Sequence, residues 1–92
     1  MTLPYQLKVA FAAARQLRRL PVRVAPAIVE FVTSVLPMNP ARLSKPLGGN
    51  LEGLRTARRG DYRVLLWIDD EQQAVVVVRL GHRANVYPSR PP

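Results

Sequence analysis

The chain has 92 residues, a length that supports one domain with a single hydrophobic core. Hydrophobic residues make up 48% of it and charged residues 22%, a globular composition that excludes wholesale disorder. The absence of cysteine excludes disulfides, thiolate zinc sites and cysteine nucleophiles, and the formal net charge of +8 predicts an anionic partner such as nucleic acid or an acidic protein segment.

The first half of the chain predicts one strand followed by two helices. Residues Tyr5 to Val9 alternate apolar and polar side chains, as a strand with one buried face does. Apolar residues three and four apart predict a helix from Ala10 to Leu20, which Pro21 ends. A second amphipathic helix is predicted from Val24 to Leu36, and the Pro- and Gly-containing stretch from Asn39 to Asn50 is predicted to be a loop.

The second half predicts three strands in an antiparallel meander, Glu52 to Arg58, Asp61 to Ile68 and Ala74 to Leu80. The whole chain, residues 1–92, is therefore predicted to be a single α+β domain of order β-α-α-β-β-β. Two helices are expected to pack on one face of an antiparallel sheet, and the tail 88–92 is expected to fray. No apolar run approaches the roughly 20 residues of a membrane span, so we expect a cytoplasmic protein without a membrane partner.

A strand register sorts the sheet residues onto two faces. We place the first hairpin turn at Arg59-Gly60 and pair Ile68 with Ala74 in the second hairpin. The face predicted to lie under the helices then holds Arg55, Ala57, Tyr62, Val64, Leu66, Ile68, Val76, Val78 and Leu80. The other face, predicted to be open, holds Thr56, Arg58, Arg63, Leu65, Trp67, Val75, Val77, Arg79 and Arg83. Its arginines cluster at one end, which predicts a site for an anionic partner.

The open-face arginines, with His82 and Tyr87, have a composition suited to phosphate chemistry. Cleavage of RNA by a ribose 2′-OH needs cations for the phosphoryl oxygens and groups that move protons. Arginine serves the first need but exchanges protons poorly, so His82 and Tyr87 are the candidates for the second. Two alternatives remain open: the cluster could bind a nucleic-acid backbone without chemistry, or it could dock an acidic protein. His82 and Tyr87 could also be ordinary packing residues.

Several motifs in order resemble the RelE/ParE toxin superfamily, and most closely its RelE branch in actinobacteria: Lys45-Pro46-Leu47, Gly60-Asp61-Tyr62-Arg63, and Gly81-His82-Arg83 followed by Val86-Tyr87. The resemblance covers nearly the whole chain. It implies the toxin of a type II toxin–antitoxin pair, a RelE-type endoribonuclease that cuts mRNA in the ribosomal A site and uses no metal or other cofactor. It also implies the partners: the 70S ribosome with its mRNA, and a RelB-like acidic antitoxin that forms a hetero-oligomer with an otherwise monomeric toxin.

Matched position by position, the resemblance implies catalytic roles for Arg63, at the scissile phosphate, and for Arg83 and Tyr87. Other basic residues of the region are interpreted as RNA-binding: Lys45, Arg55, Arg58, Arg59 and Arg79.

The chain departs from the family pattern where some members carry two lysines before the GDYR motif. Leu54 and Thr56 stand there, so His82 is the fourth candidate catalytic residue, as a replacement base, although strand parity places it on the helix face. Two other functions stay open: a ParE-like inhibitor of DNA gyrase, which has the same fold and performs no chemistry itself, and, because the two lysines are missing, a degenerate toxin that only binds its antitoxin. The sequence does not disclose codon preference, the antitoxin's identity or the general base.

Overall fold

The computed structural model describes residues 3–84 and 86. Its helices and strands in chain order are β1 Gln6–Val9, α1 Phe11–Arg18, α2 Ala25–Glu30, β2 Ser44–Pro46, β3 Arg55–Arg59, β4 Tyr62–Asp69 and β5 Ala74–His82. A π-helical turn, Phe31–Val35, and a 3-10 turn, Leu36–Met38, continue α2, and a second 3-10 turn spans Gly49–Leu51. This is the predicted α+β fold, and no helix in the described part of the chain has the length and apolar character of a membrane span.

The two helices form where the apolar spacing predicts them. α1 buries Ala13 against the sheet, and the side-chain Oε1 of Gln16 accepts a hydrogen bond of 2.7 Å from the backbone N–H of Leu80. α2 buries Ile28. Its first turn contains Pro26, which is tolerated there because the backbone N–H groups of a first turn have no acceptor within the helix. The helical turns that continue α2 reach Met38, two residues beyond the predicted end.

The sheet has five strands in the order β1-β5-β4-β3-β2, which corrects two features of the prediction. The predicted all-antiparallel sheet is mixed, because β1 adds in parallel to the outer edge of β5. In addition, β2 lies inside the segment predicted to be a loop and pairs with β3. Three residues are too few to show a strand period, and Pro46 restricts β2 to the edge position that it occupies.

The β3–β4 hairpin turns one residue later than predicted. Arg59 pairs with Tyr62, so Gly60 and Asp61 form the turn, and Gly60 adopts a φ of +61°, in the left-handed region that this kind of turn requires. The pairing is displaced by two residues, and a displacement of two preserves the faces. The predicted faces of β3 and β4 are therefore confirmed, but Leu65, which was predicted to lie on the open face, is only 1% exposed and so is covered there.

A β-bulge lies between β4 and β5. On one side of it Leu66 pairs with Val77, and on the other side Leu65 pairs with Arg79, so Val78 is the extra residue. A bulge of one residue reverses the side-chain faces of the strand beyond it.

The bulge makes the predicted faces of β5 wrong in its first half. Val75 and Val77 lie under the helices with no solvent exposure, and Val76 lies on the open face opposite Trp67. Beyond the bulge Leu80 is on the predicted helix face. The core between the two layers consists of Ala13, Ile28, Phe31, Val32, Leu36, Ala57, Val64, Leu66, Val75, Val77 and Leu80.

The two edges of the sheet are held by side-chain hydrogen bonds. The Tyr5 hydroxyl, just before β1, donates a hydrogen bond of 2.9 Å to Oδ1 of Asp70 in the β4–β5 turn. This hydrogen bond to a carboxylate raises the pKa of Tyr5 above its usual value of 10.0. At the opposite edge Arg55 contacts the segment before β2, as described below.

Candidate nucleic-acid interface

The open face of the sheet brings cations from four strands into adjacent rows. Arg58 of β3 lies directly opposite Arg63 of β4. The next row, two residues along, crosses four strands and contains Lys45, Thr56, Leu65 and Arg79. Side chains two residues apart share a face about 6–7 Å from one another, so the cations of the two rows lie on one side of the sheet.

A surface cavity of about 270 Å³ opens at the β2 side of these rows. Its lining carries four cationic side chains and no acidic one: Arg42, Leu43, Ser44, Lys45, Thr56, Arg58 and Arg63. We call this the arginine cavity. A cavity lined by cations without a carboxylate is suited to an anion of high charge density, such as a phosphodiester.

The Arg63 guanidinium is oriented by backbone carbonyl groups at the β3–β4 turn. Its Nη1 donates long hydrogen bonds of 3.4 Å to the carbonyl oxygens of Gly60 and Tyr62. A guanidinium has five N–H donors, so one nitrogen orients the group and the other donors remain available to a bound phosphate.

Thr56 lines the arginine cavity, and it is one of the two positions where the resemblance leads us to expect a lysine. Its Oγ1 is buried and has no hydrogen-bond partner among the described residues. A buried hydroxyl without a partner costs about 1–3 kcal/mol, and a polar ligand in the cavity would recover this. Thr56 carries no charge and cannot act as a lysine does in proton transfer.

Arg83 lies just past the end of β5 on the side of the β3–β4 turn. Its backbone N–H donates to the carbonyl oxygen of Asp61 at 2.8 Å, which continues the ladder one residue beyond β5. Arg83 is two residues from Gly81, the partner of Arg63, and so has the parity of the open face. Its side chain is exposed. Tyr87, the third residue that the resemblance singles out, lies outside the described residues.

His82 lies on the helix side of the sheet, as its strand parity predicts. It is opposite Tyr62, and the two rings meet edge to face with centroids 5.7 Å apart. Its Nδ1 accepts a hydrogen bond of 3.3 Å from the backbone N–H of Ala84. The structure therefore does not bring His82 to the open-face arginines, which removes the geometric support for His82 as the replacement base.

Arg55 and Arg59 are also on the helix side of β3, apart from Arg58. The Nε of Arg55 donates to the Ser44 hydroxyl at 2.7 Å, and its Nη2 donates to the carbonyl oxygens of Ala41 and Ser44 at 3.0 and 3.1 Å. Arg55 thus fixes the segment that carries Arg42 and Lys45 into the cavity, instead of lining the open face with Arg58. Arg59 is exposed at the hairpin, opposite Tyr62.

Arg42 is a cavity residue that the sequence analysis did not assign to the site. It precedes β2, and the pairing of β2 with β3 brings it beside Arg58 and Arg63 in the lining. The sequence feature that could have assigned Arg42 to the site is the basic stretch from Arg42 to Arg63, of which it is the first residue. As to metals, residues 3–84 and 86 include no group of three or more His, Cys, Asp or Glu side chains that could hold an ion.

Comparison with known proteins places this chain and its fold among bacterial toxins. Residues 7–87 match the family model described as the ParE toxin of the type II toxin–antitoxin system parDE. Toxin RelE of Mycobacterium tuberculosis is 48% identical over 88 residues, which cover 96% of this chain and 91% of that protein. Toxin RelG of the same organism is 45% identical over 85 residues, which cover 92% of this chain and 98% of that protein.

A solved structure shows the same architecture. A chain of the toxin–antitoxin complex RelBE2 from Mycobacterium tuberculosis is similar to this one with a TM-score of 0.84 and 44% identity. The match covers 92% of this chain and 98% of that chain. It therefore includes the sheet that carries the arginine cavity as well as the helices that pack behind it.

Proposed function

The chain belongs to the ParE toxin family of type II toxin–antitoxin systems, and from this premise we propose that it is a ribosome-dependent endoribonuclease that cuts mRNA in the A site. The observation that carries the proposal is the Arg58–Arg63 pair in the lining of a cavity that carries four cations and no carboxylate. The similarity to proteins named RelE and RelG supports it.

In the proposed reaction a ribose 2′-oxygen attacks the adjacent phosphorus and the bond from phosphorus to the 5′-oxygen breaks. The products are a 2′,3′-cyclic phosphate and a free 5′-hydroxyl. Negative charge builds on the two non-bridging oxygens, and we assign Arg63, Arg58 and Arg83 to stabilise it. Lys45, Arg42 and Arg79 would position the neighbouring phosphates of the strand. No metal takes part in this proposal.

Lys45 is the cavity cation that can release a proton, because arginine stays protonated in proteins. It lies directly opposite Thr56, where the resemblance leads us to expect a lysine, so its ammonium is one strand away from that position. We propose that the Lys45 ammonium gives its proton to the leaving 5′-oxygen and regains one from solvent. The proton of the 2′-hydroxyl goes to hydroxide from solvent, which balances the step. Tyr87 is the other candidate donor.

Primer extension on mRNA after induction of the protein tests the activity. Cuts within translated codons, absent from untranslated regions of the same transcript, are expected of a ribosome-dependent endoribonuclease. DNA damage without cuts in mRNA would instead support the gyrase inhibitor. If the folded protein binds its antitoxin and produces neither mRNA cuts nor DNA damage, it is a degenerate toxin.

We further propose an acidic antitoxin as the protein partner, with support from the toxin–antitoxin complex to which this chain is similar. Trp67, 38% exposed, and Val76 form an apolar patch on the open face beyond the arginines. An antitoxin segment with apolar residues over this patch and carboxylates at the arginines would cover the site. Association should be fast and should slow as salt rises, because the +8 charge steers an acidic partner. Stopped-flow rates that do not change with salt would contradict the electrostatic part.

A further inference from the structure

The outer surface of α1 is a second basic region of the molecule. Arg15, Arg18 and Arg19 are all exposed there, and Arg23 is exposed in the turn that follows. Residues three and four apart are neighbours on a helix, with Cβ atoms about 5–6 Å from one another, so Arg15, Arg18 and Arg19 form one cluster. Ala13, on the opposite side of the helix, is fully buried. These arginines therefore contribute nothing to the core.

An exposed aromatic ring lies within the cluster. Phe11, in the first turn of α1, is 75% exposed, and the Arg15 guanidinium carbon lies 5.9 Å from its ring centroid. At this exposure the ring buries little apolar surface within the described chain. An aromatic ring beside arginines is a combination that proteins use to contact RNA, by stacking together with phosphate binding.

The cluster has no acidic counterpart near it in the sequence. The first acidic residue of the chain is Glu30, so the 29 residues before it carry only positive side-chain charge. A surface cavity of about 160 Å³ opens between the arginines and is lined by Ala12, Arg15, Gln16 and Arg19. We call the surface formed by Phe11, Arg15, Arg18 and Arg19 the α1 surface.

The α1 surface and the arginine cavity lie on opposite sides of the sheet. α1 packs on the face that holds Val75 and Val77, and the cavity opens on the face that holds Arg58 and Arg63. Since the sheet separates them, a short mRNA segment bound in the cavity would not reach α1. A polyanion that contacts these arginines would therefore be a second segment, separate from the one in the cavity.

We propose that the α1 surface binds the sugar-phosphate backbone of ribosomal RNA and so holds the protein on the ribosome. This inference rests on the proposed function. An RNA backbone fits better than an acidic protein because stable protein interfaces have an apolar centre, and Phe11 alone does not form one. Phosphate contacts need only cations, and arginine presents the planar donor pair that matches a phosphate.

The test is a kinetic comparison on purified 70S ribosomes programmed with mRNA. The variant Arg15→Gln/Arg18→Gln/Arg19→Gln is compared with the wild type and with the charge-preserving control Arg15→Lys/Arg18→Lys/Arg19→Lys. We expect the first variant to raise KM about tenfold or more, to leave kcat within about twofold, and to lower the dependence of log affinity on log salt by about two to three ion equivalents. The lysine control should keep most of the affinity.

Ribosome binding measured by sedimentation, without cleavage, separates this inference from the proposed function. If the wild type binds ribosomes and the glutamine variant loses that binding, the inference stands even where mRNA is not cut. If wild type and glutamine variant bind with the same affinity and the same salt dependence, the inference is wrong whether or not the mRNA is cut. The variant Phe11→Ala should weaken binding without changing the salt dependence, and unchanged thermal melting of each variant excludes a folding defect.

Discussion

Arg58 of β3 and Arg63 of β4 are direct cross-strand partners on the open face of the sheet, so two positive side chains occupy one row. Like charges directly opposite each other destabilise an antiparallel pair. Two arginines at these positions therefore oppose folding, and an anion bound between them would relieve the repulsion. A like-charge pair of this kind is typical of an anion-binding site, because residues that stabilise a fold do not repel one another.

The first prediction concerns this repulsion. Arg58→Gln should raise the free energy of unfolding by up to about 1 kcal/mol, because it removes a like-charge pair and keeps the length of the side chain. Urea denaturation of both proteins measures the change. Added salt should stabilise the wild type more than the variant, since screening weakens the same repulsion. A variant less stable than the wild type at every salt concentration would show that Arg58 has a structural role.

Cleavage should depend on the two arginines that the resemblance singles out. Arg63→Ala and Arg83→Ala should each lower the rate of mRNA cleavage on the ribosome by about 10² to 10³, the typical effect of losing one contact to transition-state charge. Neither change should lower stability, because neither side chain lies in the core. Growth assays after induction and single-turnover cleavage measure the effect. Full toxicity of a well-folded double variant would contradict the catalytic assignment.

Arg55 and Arg59 offer a matched comparison, since both are arginines of β3 on its helix side. Arg55→Ala should lower the free energy of unfolding by about 1–3 kcal/mol, because it breaks charge-assisted hydrogen bonds to Ser44 and to the Ala41 carbonyl. Arg59→Ala should change it by less than about 0.5 kcal/mol, because Arg59 is exposed. Thermal melting of the two variants decides this, and equal melting temperatures would contradict it.

The helices and two of the strand faces could be predicted from the sequence because their periods are unambiguous. The apolar spacing around Ile28 and Val32 specifies one side of a helix. The predicted faces of β3 and β4 are correct although the predicted pairing was displaced by two residues, because such a displacement leaves each side chain on the same face. The run from Val75 to Val78 is different. Four successive valines fit either face, so the sequence contains no signal for the bulge, and only the packing of the two layers decides which of them are buried.

The site could be predicted in part for the same reason. Arg58 and Arg63 share a face under any register displaced by two residues, and they lie together. Lys45 and Arg42 enter the cavity only because β2 pairs with β3, and a three-residue strand ending in Pro46 has no sequence pattern that separates it from a loop. The contact of Arg55 with Ser44 could not be predicted either, since it depends on that pairing.

The last prediction identifies the group that donates a proton to the leaving oxygen. Lys45→Arg keeps the positive charge but cannot release a proton at neutral pH, so it should slow cleavage by about 10² to 10⁴, the usual contribution of general acid catalysis. An mRNA with sulfur in place of the leaving 5′-oxygen should restore the rate of this variant, because a thiolate leaves without protonation. His82→Gln should cleave both substrates at the wild-type rate with an unchanged pH profile, since His82 faces Tyr62 on the helix side.

Equal slowing of Lys45→Arg on both substrates would mean that Lys45 only binds RNA. In that case a defect of Tyr87→Phe that sulfur restores would identify Tyr87 as the donor.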